Sequence, residues 1–111
     1  ILFFININMV YASINNWIEV SKTTEGIQYW DRNSLIIKGK GMIEITTKYL
    51  NTVNKSLGLI EENIYTMEIN CLANKYKDVS VNGESNLRAK WEDPKGDKLI
   101  NDVITESCRN V

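Results

Sequence analysis

The clearest hydrophobic pattern in the chain is the alternation of apolar and polar residues between Tyr65 and Cys71. Tyr65, Met67, Ile69 and Cys71 occupy every second position, and polar residues stand between them. Because successive side chains of a β-strand point to opposite faces of a sheet, this period of two predicts a strand with one buried face. Another element must cover that apolar face.

A second pattern, with helical spacing, lies near the C-terminus. Ile100, Ile104 and Cys108 fall four residues apart, which is the spacing of one face of an α-helix. Asp97 precedes this segment and is a favourable N-cap residue. Because each of the two cysteines lies on the apolar side of its own element, we expect the helix to lie on the sheet with Cys108 against Cys71.

The rest of the chain is predicted to form short extended segments separated by turns. Residues 42–50 alternate most regularly, with Ile43 and Ile45 on the side opposite Glu44. Asn82 and Gly83 are a strong signal for a tight hairpin. Other extended segments are predicted at 17–20, 27–30, 35–37 and 75–81, with turns at 31–34 and 38–41. The predicted fold class is α+β, an antiparallel meander sheet of about five to six strands with one C-terminal helix packed on it.

The least patterned stretch spans residues 51–63 and is mostly polar. It contains a small apolar group, Leu57, Leu59 and Ile60. A loop of this length in a compact domain is either mobile or functional. We therefore hold two hypotheses of equal weight, a recognition loop with these three residues on its binding surface or a mobile connection without a partner.

Composition limits the classes of function that need to be considered. The chain has 111 residues, enough for one domain, and its formal net charge of −1 lacks the basic excess typical of nucleic-acid binding. It contains no histidine and two cysteines, so the usual Ser–His and Cys–His nucleophiles and the common zinc sites cannot be built. We expect no catalytic residues, no metal and no cofactor, and we predict that the protein is not an enzyme.

Residues 1–12 are uncharged and mostly apolar, and small residues precede Ser13. This pattern is typical of the C-terminal part of a secretory signal peptide, with residues 13–111 as a single mature domain. A buried first strand is the alternative; a membrane anchor would need about 20 apolar residues, so no transmembrane segment is predicted. In an oxidising compartment, Cys71 and Cys108 would form a disulfide that tethers the helix to the sheet, whereas a cytosolic chain would keep both thiols reduced.

Several short motifs, in a fixed order, resemble those of the surface-adhesin protein E family. Trp17 opens a strand, and residues 26–35 read GIQYWDRNSL, an aromatic pair followed by Asp31, two residues, Ser34 and an aliphatic residue. The strand ending at Cys71, the polar strand after it, the segment from Trp91 to Pro94 and the terminal Cys108 continue the match. The resemblance covers roughly residues 16–109. The residues taken from the family motif as structural are Trp17, Tyr29, Asp31, Ser34, Trp91 and Pro94.

The resemblance implies a small exported protein of a Gram-negative bacterium, located in the periplasm or on the outer-membrane surface. It also implies an antiparallel sheet with a C-terminal helix held by a disulfide. The best-known member of the family is an adhesin that binds host extracellular-matrix or plasma proteins and forms dimers. Host proteins and a second copy of the chain are therefore the expected partners, and the alternative is a periplasmic structural or accessory protein with no host ligand.

Two groups of motif residues have both a structural and a functional interpretation. Asp31 and Ser34 are favoured as turn residues, because their side chains bond readily to nearby backbone groups. The three tryptophans are expected to bury apolar area. Trp30, however, is opposite in phase to Ile27 and Tyr29, so it would lie on the other face of the sheet, and an exposed Trp30 would be a candidate contact residue.

Overall fold

The computed structural model describes residues 14–51, 58, 60–109 and 111. Their alternating and helical patterns form six strands and one helix, in the order β1 (Trp17–Lys22), β2 (Gly26–Gly39), β3 (Met42–Asn51), β4 (Glu61–Asn70), β5 (Lys75–Val81), β6 (Glu84–Ser85) and α1 (Lys98–Cys108). The strands make one antiparallel sheet in sequence order, β1 to β6. The predicted α+β meander with a C-terminal helix is confirmed. The predicted signal peptide, residues 1–12, lies outside the described residues.

Tight hairpin turns join β2 to β3 and β5 to β6, so these strands lie next to their successors in sequence. Between β2 and β3, Lys40 and Gly41 have φ angles of 57° and 77°, the left-handed region that the glycine-rich sequence favours. Asn82 and Gly83 adopt φ angles of 50° and 83° between β5 and β6, as a two-residue hairpin turn of the primed type requires. Both turns were predicted from the sequence.

The core lies between one face of the sheet and α1. Ile43 and Ile45 of β3 are paired with Ile69 and Met67 of β4, and all four are at most 1% exposed. Trp30 of β2 and two apolar residues of α1 complete the cluster. The period-two and helical patterns therefore predicted the buried face correctly.

The helix is fixed at both ends. Asp97 is its N-cap, and the carboxylate accepts a hydrogen bond from the backbone N–H of Ile100. At the C-terminal end, Cys108 forms a disulfide with Cys71, the residue that directly follows β4. The predicted tether is confirmed.

One predicted turn is wrong. Residues 31–34 do not separate two strands but lie inside β2, which runs without interruption from Gly26 to Gly39. Its pairing with β3 is irregular between Asp31 and Ile36. Side-chain hydrogen bonds, described below, replace the missing backbone pairing, so turn-forming residues here make a bulge within a strand.

Candidate functional site

The face of the sheet opposite α1 carries a partly exposed surface rich in aromatic and aliphatic side chains. Lys48 of β3 lies between Tyr29 of β2 and Ile64 of β4, and Ile27 pairs with Leu50 in a neighbouring row. Paired residues of an antiparallel sheet share a face. Within the described residues α1 is the only helix, and it packs on the other side. We call this surface the open-face cluster: Trp17, Ile27, Tyr29, Lys48, Leu50 and Ile64.

Lys48 is held between two aromatic rings. Its Nζ lies 4.4 Å from the ring centroid of Trp17 and 5.0 Å from that of Tyr29, within the distance at which a cation and a ring quadrupole attract each other. No salt bridge to Lys48 is found in the described part of the chain. The cluster thus presents aromatic rings, which are enriched at protein-contact surfaces, together with an ammonium group that has no acidic partner among the described residues.

A charged network covers the other end of the same face. The Nζ atom of Lys38 lies 2.7 Å from Glu68 and 3.5 Å from Glu44, and Lys77 lies 3.3 Å from Glu68. The hydrogen bond from Lys38 is the main cause that lowers the pKa of Glu68, and the same bond raises the pKa of Lys38. Lys38 and Lys77 are therefore both paired with acidic residues. Lys77 also lies 4.7 Å from the ring centroid of Trp91, which is 40% exposed.

The hypothesis that Trp30 is an exposed contact residue is wrong. Trp30 does lie on the opposite face from Ile27 and Tyr29, as its phase predicted, but that face is the one covered by α1, and Trp30 is 5% exposed. Its Nε1 atom is buried without a hydrogen-bond partner within the described structure. The face opposite α1 instead carries Tyr29 and Ile27, which are partly exposed and whose period-two spacing was visible in the sequence.

The hypothesis about the loop at 51–63 rests largely on residues whose positions are not described. Leu57 and Leu59 lie outside the described residues, and Ile60 is 69% exposed. The loop is also shorter than expected, because Asn51 ends β3 and β4 already begins at Glu61. A recognition role for these residues stays a prediction.

Asp31 and Ser34 hold the irregular part of β2 in place. Asp31 Oδ1 accepts hydrogen bonds from the backbone N–H groups of Asn16, at 2.8 Å, and Asn33, at 3.0 Å. Ser34 Oγ donates to the carbonyl oxygen of Asp31 and accepts from the N–H of Thr46 across the strand pair. The geometry supports the structural interpretation of both residues.

The remaining motif residues lie in different parts of the fold. Trp17 and Tyr29 belong to the open-face cluster, and Trp91 lies at the sheet edge next to the bridge between Tyr76 and Glu92. Pro94 is buried, and its carbonyl accepts a hydrogen bond from Asp97 N–H, which shapes the turn before α1. The structure therefore does not bring these residues together into a single site.

A cavity of about 210 Å³ opens on the helix side of the sheet, near the N-terminal turn of α1. Its floor is formed by side chains of β2 to β5, among them Gln28, Tyr65 and Asp78, and its upper wall by Leu99 and Ile100. No local sequence pattern indicated this cavity, because its lining comes from four strands and the helix.

Asp78 has an unusual electrostatic environment at one end of this cavity. Burial, followed by the nearby charge of Glu92, raises the pKa of its carboxyl group from 3.8 to about 6. Burial also raises the pKa of the neighbouring Tyr76 to about 12. No hydrogen bond or salt bridge to the Asp78 carboxylate is found among the described residues. A partly buried, unpaired carboxylate destabilises a fold unless something compensates for it.

The variant Asp78→Asn is expected to be more stable than the wild type at pH 8. The folded state raises this pKa, so the carboxyl group destabilises the fold above about pH 6, and the effect disappears below about pH 4. Allowing for solvent screening at this partly exposed site, the gain is about 1 kcal/mol, or a rise of about 4–8 °C in Tm. Thermal unfolding of the variant and the wild type measures this difference in Tm at pH 8, and its disappearance at pH 3.5. Equal Tm values at pH 8 would contradict the prediction, and Glu84→Gln, at an exposed site, is the charge-matched control.

Two further observations limit what the site can be. No helix in the described part of the chain is both long and apolar enough to span a lipid bilayer. Nor does the described structure hold a group of three or more acidic or cysteine side chains close enough together to bind a metal ion. We take the open-face cluster and the cavity near α1 as the two candidate binding sites of the described structure.

Comparison with known proteins places the chain in a family. Searches of curated proteins and of solved structures gave no significant match. A model of the surface adhesin-E family matches residues 18–111, which is most of the chain and includes all six strands except the first residue of β1, as well as the helix and both cysteines. The protein therefore belongs to the surface adhesin-E family.

Proposed function

We propose that this protein is an exported, non-enzymatic binding protein of the adhesin type that contacts other proteins through the open-face cluster. The observation that carries the proposal is the placement of Lys48 between Trp17 and Tyr29 on a sheet face that no described element covers. Membership of the surface adhesin-E family supports an adhesin-like role at the cell envelope. Host extracellular-matrix or plasma proteins are the partners we propose.

The shape of the cluster favours a protein partner over a small molecule. It extends from β1 to β4, a width of about 15 Å at the usual strand spacing, and none of the three best-defined cavities in the described structure is lined by its members. Small ligands bind mostly in concave pockets, whereas flat surfaces with aromatic residues at their centre are common in protein interfaces. A row of Thr46, Thr66 and Ser80 beside the cluster supplies hydroxyl groups for a polar rim.

Reversing one charge in the cluster tests the proposal. Lys48→Glu is expected to weaken binding to immobilised basement-membrane matrix or plasma proteins about tenfold or more, because it removes the cation and places a carboxylate between two electron-rich rings. Lys40→Glu, at the exposed tip of the β2–β3 hairpin, makes the same change in charge away from the cluster. Biosensor measurements compare the affinities of both variants and the wild type for the immobilised proteins.

The possible results separate the two candidate functions. Binding that is lost only in Lys48→Glu supports the open-face cluster, and equal binding by all three proteins would show that the contact lies elsewhere. If none of them binds matrix or plasma proteins, the adhesin role is wrong, and the alternative of a periplasmic accessory protein without a host ligand is favoured. Circular dichroism of each variant confirms that the fold is retained.

A further inference from the structure

The cavity on the helix side of the sheet is separate from the open-face cluster. The sheet itself divides the two, because the cavity is lined by residues such as Gln28 and Thr47, which alternate along their strands with Tyr29 and Lys48 of the cluster. A ligand in the cavity would therefore not compete directly with a protein on the open face.

Gln28 is a buried polar side chain without a partner. It is 3% exposed and lines the cavity, yet its amide makes no hydrogen bond to any described residue. Among the described residues, Trp30 Nε1 is the one fully buried side-chain polar atom without a partner, so the amide atoms of Gln28 still reach the open space of the cavity. The Asp78 carboxylate lines the same cavity and also has no hydrogen-bond or salt-bridge partner among the described residues. Two polar groups without a partner among the described residues thus line one open cavity.

The lining of the cavity is acidic. Glu25, Asp78 and Asp97 contribute carboxylates, and the described lining contains no lysine or arginine. Their influence reaches the tyrosines: after burial, the charges of Glu25 and Asp97 raise the pKa of Tyr49, and the charge of Asp78 raises that of Tyr65. Such a lining repels anions and attracts cations.

Basic residues close to Asp78 do not neutralise it. Arg88 and Lys90 line a second depression that Asp78 also lines, but neither forms a salt bridge with it. Burial and the charge of Glu92 raise the pKa of Asp78, which is the reverse of what a close basic partner would do. The carboxylate is therefore available to a ligand.

The volume of the cavity and the positions of its carboxylates determine which kind of cation it can bind. The carboxylates lining the cavity do not converge into a metal-binding group, so a divalent ion lacks the several close oxygen ligands that it requires. The volume of about 210 Å³ is below the range of about 300–1,000 Å³ typical of drug-sized ligands. The aromatic ring of Tyr65 and the apolar side chains of Met67 and Leu99 suit a small organic group.

We propose that this cavity binds a small organic ammonium ion, with the charged nitrogen between Asp78 and Tyr65 and a neutral polar group of the ligand hydrogen-bonded to the amide of Gln28. The ammonium group is either that of a free amine or that of a lysine side chain in a peptide. The unpaired Asp78 carboxylate then has a role in binding that compensates for its cost to stability.

Nuclear magnetic resonance titration of the ¹⁵N-labelled protein in 0.15 M salt tests the proposal. Phenethylamine and Nα-acetyl-lysine amide are the ammonium probes, and phenethyl alcohol is the neutral match for the first. We expect saturable shifts at the side-chain amide of Gln28 and at cavity residues, with the alcohol binding at least tenfold more weakly. Tighter binding of the lysine derivative would indicate a peptide ligand, and tighter binding of phenethylamine a free amine.

Two variants make the result specific to the cavity. Asp78→Asn is expected to bind the amines at least tenfold more weakly although its folded state is more stable, so loss of binding cannot be attributed to unfolding. Glu84→Gln, an exposed site outside the lining, removes the same charge and is expected to bind like the wild type. Equal binding of amine and alcohol, shifts away from the cavity, or equal binding by Asp78→Asn would each overturn the proposal. The outcome is independent of Lys48→Glu and of the adhesin function.

Discussion

Replacing Cys71 and Cys108 together by serine is expected to lower the free energy of unfolding by about 4 kcal/mol. The disulfide closes a loop across a sequence separation of 37 residues, and the loss of that constraint increases the entropy of the unfolded chain. In a domain of this size, such a change lowers Tm by at least about 10 °C. The bond also joins the end of α1 to the end of β4, so the helix loses its C-terminal attachment to the core. Thermal and urea unfolding measure both quantities.

Reduction provides a matched control for the disulfide variant. Adding reductant to the wild type should lower its Tm toward that of Cys71→Ser/Cys108→Ser, and the double variant itself should not respond. Intact mass after alkylation establishes the thiol state of each sample. An unchanged Tm in the double variant would show that packing of α1, through residues such as Val103 and Ile104, holds the helix without the covalent bond.

The variant Asp31→Ala is expected to lower the free energy of unfolding by about 2–3 kcal/mol, with a fall in Tm of about 10 °C or more. Asp31 is 4% exposed, and its carboxylate accepts two backbone hydrogen bonds, from Asn16 and Asn33. Removing it leaves both N–H groups without a partner where β1 begins and where the pairing of β2 with β3 is irregular. Urea unfolding of the purified variant measures the loss.

Asp31→Asn separates the hydrogen-bonding role from the charge. Its amide oxygen can accept the same two bonds, so we expect it to retain more than half of the stability lost in Asp31→Ala. Binding to matrix or plasma proteins, measured at a temperature where both variants are folded, should match that of the wild type. Reduced binding by a folded Asp31→Asn would contradict the structural role and make this residue part of a contact surface.

Local patterns identified the strands, the helix and the disulfide because each of these depends on neighbouring residues or on the periodicity of a single element. The alternation through Ile43 and Ile45 and the helical spacing of Ile100, Ile104 and Cys108 are examples. The Asn82–Gly83 hairpin is another, because few residues adopt its backbone angles easily. These parts of the fold follow from the geometry of one strand, one turn or one helix.

The turn at 31–34 shows where local reasoning fails. Asp31 and Ser34 were recognised correctly as residues that bond to nearby backbone, but such bonds close a turn or support a bulge equally well. The choice depends on whether a neighbouring strand is available, and Ser34 Oγ accepts its bond from Thr46 on β3. The pairing of β2 with β3 therefore decided that these residues form a bulge and not a turn. The bonded residues Ser34 and Thr46 are twelve positions apart, so a local sequence pattern does not contain this information.

The sequence by itself determined the fold class, the strand order, the cysteine pair and the family, because alternation, helical spacing and turn residues act over short distances along the chain. Only the tertiary structure decided which face of β2 the helix covers, so that Trp30 is buried and Tyr29 is partly exposed beside Lys48. Only the tertiary structure, likewise, placed Gln28 and Asp78 in one cavity. These residues are fifty positions apart, and a period of two distinguishes the faces of a sheet without indicating what packs on either of them.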